Sequence, residues 1–221
     1  SRELASAVDN PVVLDDGRGT LAEQVARKLP PERRTTPLAP PLPHRGEPGA
    51  APALPELALF NGLGGFTPDG REYVVAAPAG VRPPAPWVNV LANARFGSVV
   101  SEAGSAYTWC ENAHELRLTP WHNDPVTDAS GEAIYLRDEE SGRVWSPTSL
   151  PCPGDAPYVT RHGFGVSVFE HVEDGIESRL QVFVALDAAV KFSVLTLRHR
   201  SPRPRRLSAT GYVEWVLGDL R

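Results

Sequence analysis

The chain contains no methionine and begins with Ser1. A finished translation product starts with methionine, so the expectation is a processed chain or a piece of a larger protein. Cysteine is nearly absent. Cys110 and Cys152 lie far apart and lack the CxxC spacing of a metal site. Two free thiols in a cytosolic protein are expected, with a disulfide as the alternative. No run approaches the roughly 18 apolar residues of a membrane-spanning helix, and no signal peptide opens the chain. The expected compartment is the cytoplasm, with membrane attachment of a full-length protein through an upstream region left open. Concentrated positive charge is missing as well. The net charge is −5 and the basic residues are scattered, which argues against a nucleic-acid partner. Residues 198–206 (RHRSPRPRR) are the exception. Pro202 and Pro204 interrupt them and strand-like sequence flanks them, so a solvated hairpin connection is expected rather than a binding patch. GxSxG and HExxH motifs are absent, and no self-contained catalytic set can be assembled.

What is present is enough for a real core: 221 residues with an apolar share of 41%, which suits one large β domain or two small ones. Two regions divide the chain. Residues 1–56 are moderately polar and then rich in proline. Thr20 and Glu23 form a capping box, and Leu21, Val25 and Leu29 follow at helical spacing, so a short helix is expected over 20–29, ended by Pro30 and Pro31. Residues 32–55 lack periodicity and read as an extended, polyproline-like linker, with a peptide ligand for an SH3-type domain as the alternative.

Residues 57–221 read as a β domain. The glycines of 57–66 (LALFNGLGGF) do not match a phosphate-binding loop, since no GxGxxG or GK[ST] pattern is present, and a tight turn is expected instead. Asn61-Gly62, Asp69-Gly70, Ser141-Gly142 and Asp174-Gly175 are turn pairs. Between them lie runs such as REYVVAA, WVNVLAN, FGSVVSE, AIYLRD, YVTRH, FGVSVFEHV, IESRLQVFVAL, VKFSVLTLRHR and RRLSATGYVEWVL. Phe164, Val166 and Val168 are expected to share one face, and Val190, Phe192 and Val194 another, in antiparallel strands with one buried face. Several late strands should run ten residues or more. The fold class predicted is all-β, a large antiparallel β-sandwich.

The stretch 106–128 (AYTWCENAHELRLTPWHNDPVTD) is where chemistry concentrates. Trp109 and Trp121 supply apolar faces, while Asn112, His114, Arg117, His122, Asn123, Asp124 and Asp128 supply donors and acceptors. That mix suits a sugar, with its apolar ring face and hydroxyl rim. In a strand, Tyr107 and Trp109 point one way and Thr108 and Cys110 the other. Pro120 stiffens the turn carrying Trp121. Blander roles stand beside these: Asp124 as a turn former before Pro125, Trp121 as core packing, His122 as a surface or core histidine. Glu102, Glu111, Glu115, Asp124 and Asp128 are carboxylates, but spacing alone pairs none of them for glycoside chemistry.

The segments FNGLGGF, REYVV, PAPWVNVLAN, 106–128, GEAIYLRDEESGRVWSPT, YVTRHGFGVSVFEHV and RRLSATGYVEWVLG together resemble glycoside hydrolase family 94. The subtype resembled is the phosphorylase region of cyclic β-1,2-glucan synthases and β-1,2-oligoglucan phosphorylases, from about residue 57 onward. The resemblance implies an N-terminal supersandwich, similar to galactose mutarotase, followed by a helical linker, a catalytic (α/α)6-barrel and a small β domain. It implies phosphorolysis of a β-glucoside with inversion, giving α-glucose 1-phosphate, with inorganic phosphate as co-substrate and no metal or other cofactor. The general acid and the phosphate pocket would lie in the barrel, so no carboxylate here is carried over as catalytic. In cellobiose-type members the segment matching LRLTPWHND resembles RRLTRYRYN. Arg117, Leu118 and Thr119 are kept, Trp121 replaces a tyrosine, and His122 replaces an arginine. The resemblance therefore implies substrate contacts from Trp121, His122, Asn123, Asp124, Arg117 and Trp109, with a β-glucan oligosaccharide and the barrel as partners. Ending within the sandwich would leave strand edges unpaired, so a homodimer or strand exchange is expected.

Overall fold

The structure, a computed structural model, describes residues 52–78, 80–200 and 204–218. The helix expected over 20–29 lies outside these residues, as does most of the proline-rich segment 32–55. The described residues form strands and connections without a helix. In chain order the strands are β1 (Gly64–Phe66), β2 (Glu72–Ala77), β3 (Val88–Ala92), β4 (Phe96–Ser101), β5 (Ala106–Cys110) and β6 (Glu132–Asp138). They continue as β7 (Val144–Trp145), β8 (Tyr158–Gly163), β9 (Val166–Glu173), β10 (Ile176–Val184), β11 (Lys191–His199) and β12 (Leu207–Val213).

All pairings are antiparallel. A six-stranded sheet runs β1-β2-β8-β9-β10-β11, and two three-stranded sheets run β12-β6-β7 and β3-β4-β5. Both small sheets pack on the large one. Leu91, Phe96 and Val100 of the β3-β4-β5 sheet meet Phe169, Leu180, Val182 and Val184. Leu136 and Trp145 of the β12-β6-β7 sheet meet Ile176, with Leu195 and Leu207 at the margin. The result is a sandwich whose second layer is made of two sheets.

Local sequence explains much of this. In β10, Ile176, Ser178, Leu180, Val182 and Val184 alternate inward against Glu177, Arg179, Gln181 and Phe183, the period of a half-buried strand. Asp174 and Gly175, with φ of 48° and 76°, turn β9 into β10 in the type I′ geometry that matches strand twist. The glycine-rich segment is a tight turn: Asn61 Oδ1 accepts the N–H groups of Leu63 and Gly64 at 3.1 and 2.9 Å.

Four expectations are corrected. Phe164 does not join the strand of Val166 and Val168; it sits before β9, 87% exposed, because Gly165 at φ 73° turns the chain there. Phe192 and Val194 do share a face, but it is an exposed one, whereas Leu195 of the same strand packs against the core. The longest strands have nine residues, not ten or more. Finally, the segment joining β11 to β12 is not a hairpin. β11 pairs with β10, while β12 crosses to pair with β6. Nor is the segment wholly solvated: Arg205, its side chain 4% exposed, lies between Asp138 and Asp174, at 2.6 and 2.7 Å.

A buried polar clamp ties the layers together. Glu132 Oε1 accepts the hydroxyls of Thr108 and Thr119 at 2.6 and 2.8 Å. Its Oε2 pairs with Lys191, whose ammonium also donates to Ser98 Oγ and Thr108 Oγ1 at 3.2 and 3.0 Å. Burial pushes the Glu132 carboxyl up, but the Lys191 charge and these hydrogen bonds outweigh it, and the net shift is downward.

Candidate functional site

The stretch 106–128 starts as β5 and folds back on itself. Asn112 Oδ1 accepts the N–H groups of His114 and Glu115 at 2.8 and 2.9 Å, closing the turn. The chain then returns beside β5, with Cys110 N–H bonded to Leu116 O and Leu118 N–H to Thr108 O. Thr119 anchors the return at the clamp: its Oγ1 accepts Thr108 N–H at 2.8 Å and donates to Glu132. Pro120 is buried against Gly131, where an added Cβ would stand 2.5 Å from Pro120 Cδ. The base of the following loop is therefore fixed at both ends.

β5 alternates as strand geometry requires. Thr108 is buried toward the large sheet and Cys110 packs against the core. Tyr107 and Trp109 lie on the outer face, and Trp121 folds back from the loop onto Tyr107. The ring centroids are 5.2 Å apart for Tyr107 and Trp109 and 4.8 Å for Tyr107 and Trp121. The three rings form a tilted row on the outside of the second layer. Trp121 is 41% exposed, and Val88 and Val90 on β3, across β4 in the same sheet, are 51% and 58% exposed.

Trp121, His122, Asn123 and Asp124 line one cleft of about 180 Å³, together with Pro86 and Asp128. Asn123 holds φ 48° and Asp128 φ 47°, left-handed conformations that asparagine and aspartate tolerate better than other side chains. Trp109 joins this group only through Tyr107 and is not part of the cleft lining. Arg117 is not part of it either. Its backbone bridges to Trp109 and its Nε donates to Ala113 O at 3.4 Å. Its charge faces Tyr107, where burial pushes the phenol upward and Arg117 opposes that shift.

Asp124 is a turn former. Its Oδ1 accepts the N–H groups of Val126 and Thr127 at 2.9 and 3.3 Å, and its Oδ2 accepts the Thr127 hydroxyl at 2.5 Å. These bonds, the Thr127 hydroxyl foremost, hold its carboxyl below the usual range. Asp128 is placed differently. It is half-buried, Ser101 Oγ donates to its Oδ2 at 2.6 Å, and it lines the cleft. Asp128 is among the polar residues of 106–128 but not among the substrate contacts the resemblance implies, because the Asp-Pro pair draws attention to Asp124 while the Ser101 contact, 27 positions away, leaves no local signal. Among the described residues no group of three or more His, Cys, Asp or Glu is arranged to hold a metal ion. Cys110 and Cys152 are free thiols.

A family model for the glycosyl hydrolase 94 supersandwich domain matches residues 71–221. The chain belongs to glycosyl hydrolase family 94. A cyclic β-(1,2)-glucan synthase of Rhizobium meliloti (strain 1021) is 43% identical over 167 residues, 75% of this chain and 6% of that protein. An N,N'-diacetylchitobiose phosphorylase of Vibrio furnissii is 34% identical over 160 residues, 71% of this chain and 20% of that protein. A solabiose phosphorylase of Paenibacillus borealis is 29% identical over 163 residues, again 71% and 20%. The family-94 supersandwich seen here is thus a small part of each of these longer proteins.

Proposed function

We propose that this domain is the non-catalytic, carbohydrate-contacting wall of an inverting β-1,2-glucan phosphorylase or cyclic β-1,2-glucan synthase. One observation carries the reading: an exposed indole, Trp121, is propped on Tyr107 beside a cleft rimmed by His122 and Asn123. An aromatic face with polar groups at its edge is what a pyranose ring takes up. The relatives support a sugar, since their names are those of a glucan synthase and of phosphorylases of glycosides. The cleft, at about 180 Å³, is smaller than the roughly 300–1,000 Å³ of closed ligand pockets, which suits a wall completed by another domain. On this reading a barrel elsewhere in the protein supplies the general acid and binds inorganic phosphate, and no metal or organic cofactor takes part.

The test is an NMR titration of the chain with a β-1,2-linked glucose disaccharide. A single wall should bind weakly, with Kd on the order of 1 mM, about −4 kcal/mol. The Trp121 indole N–H and the Asn123 amide should shift, and Trp121→Ala should remove the response while the rest of the spectrum is kept. No shift at tens of millimolar sugar would overturn the reading.

We infer a packing role as well. Among the described residues β11 and β12 are edge strands of their sheets, and Phe192, Val194 and Tyr212 on them are 43%, 43% and 47% exposed. Unpaired apolar edges are templates for a second chain, so two copies should associate through them. Sedimentation showing only monomer at tens of micromolar would refute this.

A further inference from the structure

A second hollow of about 240 Å³ lies against the first, and the two share Pro86, Pro125 and Asp128 as a common boundary. Beyond that boundary it is lined by Arg82, Glu102 and Leu150, among others. The carboxylates here are not consumed by the fold in the way Asp124 is. Asp128 gives one oxygen to Ser101, at 2.6 Å. Its Oδ1 accepts no hydrogen bond among the described residues. Its backbone is fixed by the N–H bond to Asp124 O at 2.9 Å and by the left-handed φ of 47°, a conformation kept only where surroundings enforce it.

Glu102 supports the same conclusion independently. It is 9% exposed, and its Oε2 accepts Trp87 N–H at 2.6 Å. Its Oε1 has no hydrogen-bond partner among the described residues. That oxygen is not sealed off by the fold, so it is open to accept a hydroxyl from a ligand in the hollow. Burial pushes this carboxyl up, and the nearby Asp128 charge adds to that against the Trp87 N–H and the Arg82 charge. Glu102 and Asp128 thus each keep one carboxyl oxygen without a protein partner among the described residues. Exposed Arg82 adds fixed donors on the far side.

We propose that the sugar site continues over Asp128 into this second hollow, so that the domain holds a linear glucan chain of three or more units. Asp128 Oδ1 accepts a hydroxyl at the crossing, and Glu102 and Arg82 hold the unit beyond it. The proposal rests on the carbohydrate reading above.

Parallel NMR titrations with β-1,2-linked di- and tetrasaccharides test it. Both sugars should shift the Trp121 indole and the Asn123 amide. Only the tetrasaccharide should also shift the amides of Asp128 and Val126 and the Arg82 side chain, and it should bind about tenfold more tightly. Arg82→Ala and Glu102→Gln should bring the tetrasaccharide down to the disaccharide's affinity. Arg82 is at the surface, so its variant decides the matter even where a change at buried Glu102 perturbs the fold. Identical shift patterns and affinities for the two sugars would overturn the extension and leave the carbohydrate reading standing. A length-dependent gain that survives Arg82→Ala would also overturn it. No response at Trp121 to either sugar would overturn both.

Discussion

The indole of Trp109 lies across Gly97 of the neighbouring strand, so closely that a Cβ on Gly97 would stand 2.3 Å from its Cζ2. The two are register partners in β4 and β5, and the missing side chain is what lets the ring lie flat on the sheet. Gly97→Ala should therefore displace Trp109 and, through Tyr107, the whole ring row. Overpacking of this kind costs about 1–3 kcal/mol. The expected outcome is a lower urea midpoint together with a changed tryptophan emission spectrum. An unchanged spectrum would mean that the rings are not mechanically coupled.

The Lys191–Glu132 pair should behave as a buried pair rather than a surface one, since the two side chains are only 13% and 15% exposed. Lys191→Met leaves Glu132 charged and enclosed, a change that costs roughly 3–5 kcal/mol. Replacing both, as Lys191→Met with Glu132→Gln, should recover a large part of that loss, because the amide still meets Thr108 and Thr119. Urea unfolding of the two variants checks this. Equal stability of the single and double variants would deny that the unpaired charge is the cause.

How much of this was legible follows from how local each signal is. The Asp174-Gly175 turn, the alternation of β10 and the opposite directions of Tyr107 and Thr108 depend on neighbours within a few residues, and each can be read directly. The clamp cannot, because Lys191 and Glu132 are 59 positions apart and nothing near either residue names its partner. The crossing from β11 to β12 fails for a related reason. A proline- and arginine-rich connector has no period, and which sheet β12 joins is decided by its pairing with β6. At the site, Trp121, His122 and Asn123 line one cleft, which follows from their being neighbours in the chain. The resemblance groups Arg117 with them, yet its Nε donates to Ala113 O and it does not line the cleft, whereas Asp128, read only as one of the polar residues of the stretch, does line it.

Acid should destabilise the domain in a defined window. Burial pushes the carboxyls of Glu173 and Asp138 upward but is outweighed. For Glu173 the His171 hydrogen bond and the Arg143 charge prevail, and for Asp138 the Glu140 N–H, the Ser141 hydroxyl and Arg205 do. Both, like Glu132, end below their ordinary values. The unfolded chain then binds more protons between the folded and unfolded pKa, so stability rises with pH there. It should be fully present above the usual carboxylate range of about 4 and fall as pH drops through the lower folded values. Glu102 has the opposite sign, since its folded pKa is raised. Glu102→Gln should therefore gain on the unaltered chain as pH rises from about 4 toward 7. Urea midpoints across that range read both effects, and parallel curves for the two proteins would contradict the second.

Asp124 offers the sharpest separation between holding the loop and touching the ligand. Both of its oxygens are occupied by Val126 and Thr127, so its task is to shape the turn that presents Trp121, His122 and Asn123. Asparagine can accept the same N–H bonds from its amide oxygen and turns the chain equally well. Asp124→Asn should therefore leave the Trp121 indole signal in place and change disaccharide affinity by less than about twofold. Alanine accepts nothing, and Asp124→Ala should broaden the resonances of 121–127 and weaken binding about tenfold. The pattern expected of a direct charged contact is the reverse, with Asn as damaging as Ala. That result would place Asp124 on the ligand and remove the contrast with Asp128, whose Oδ1 is left open by the same turn.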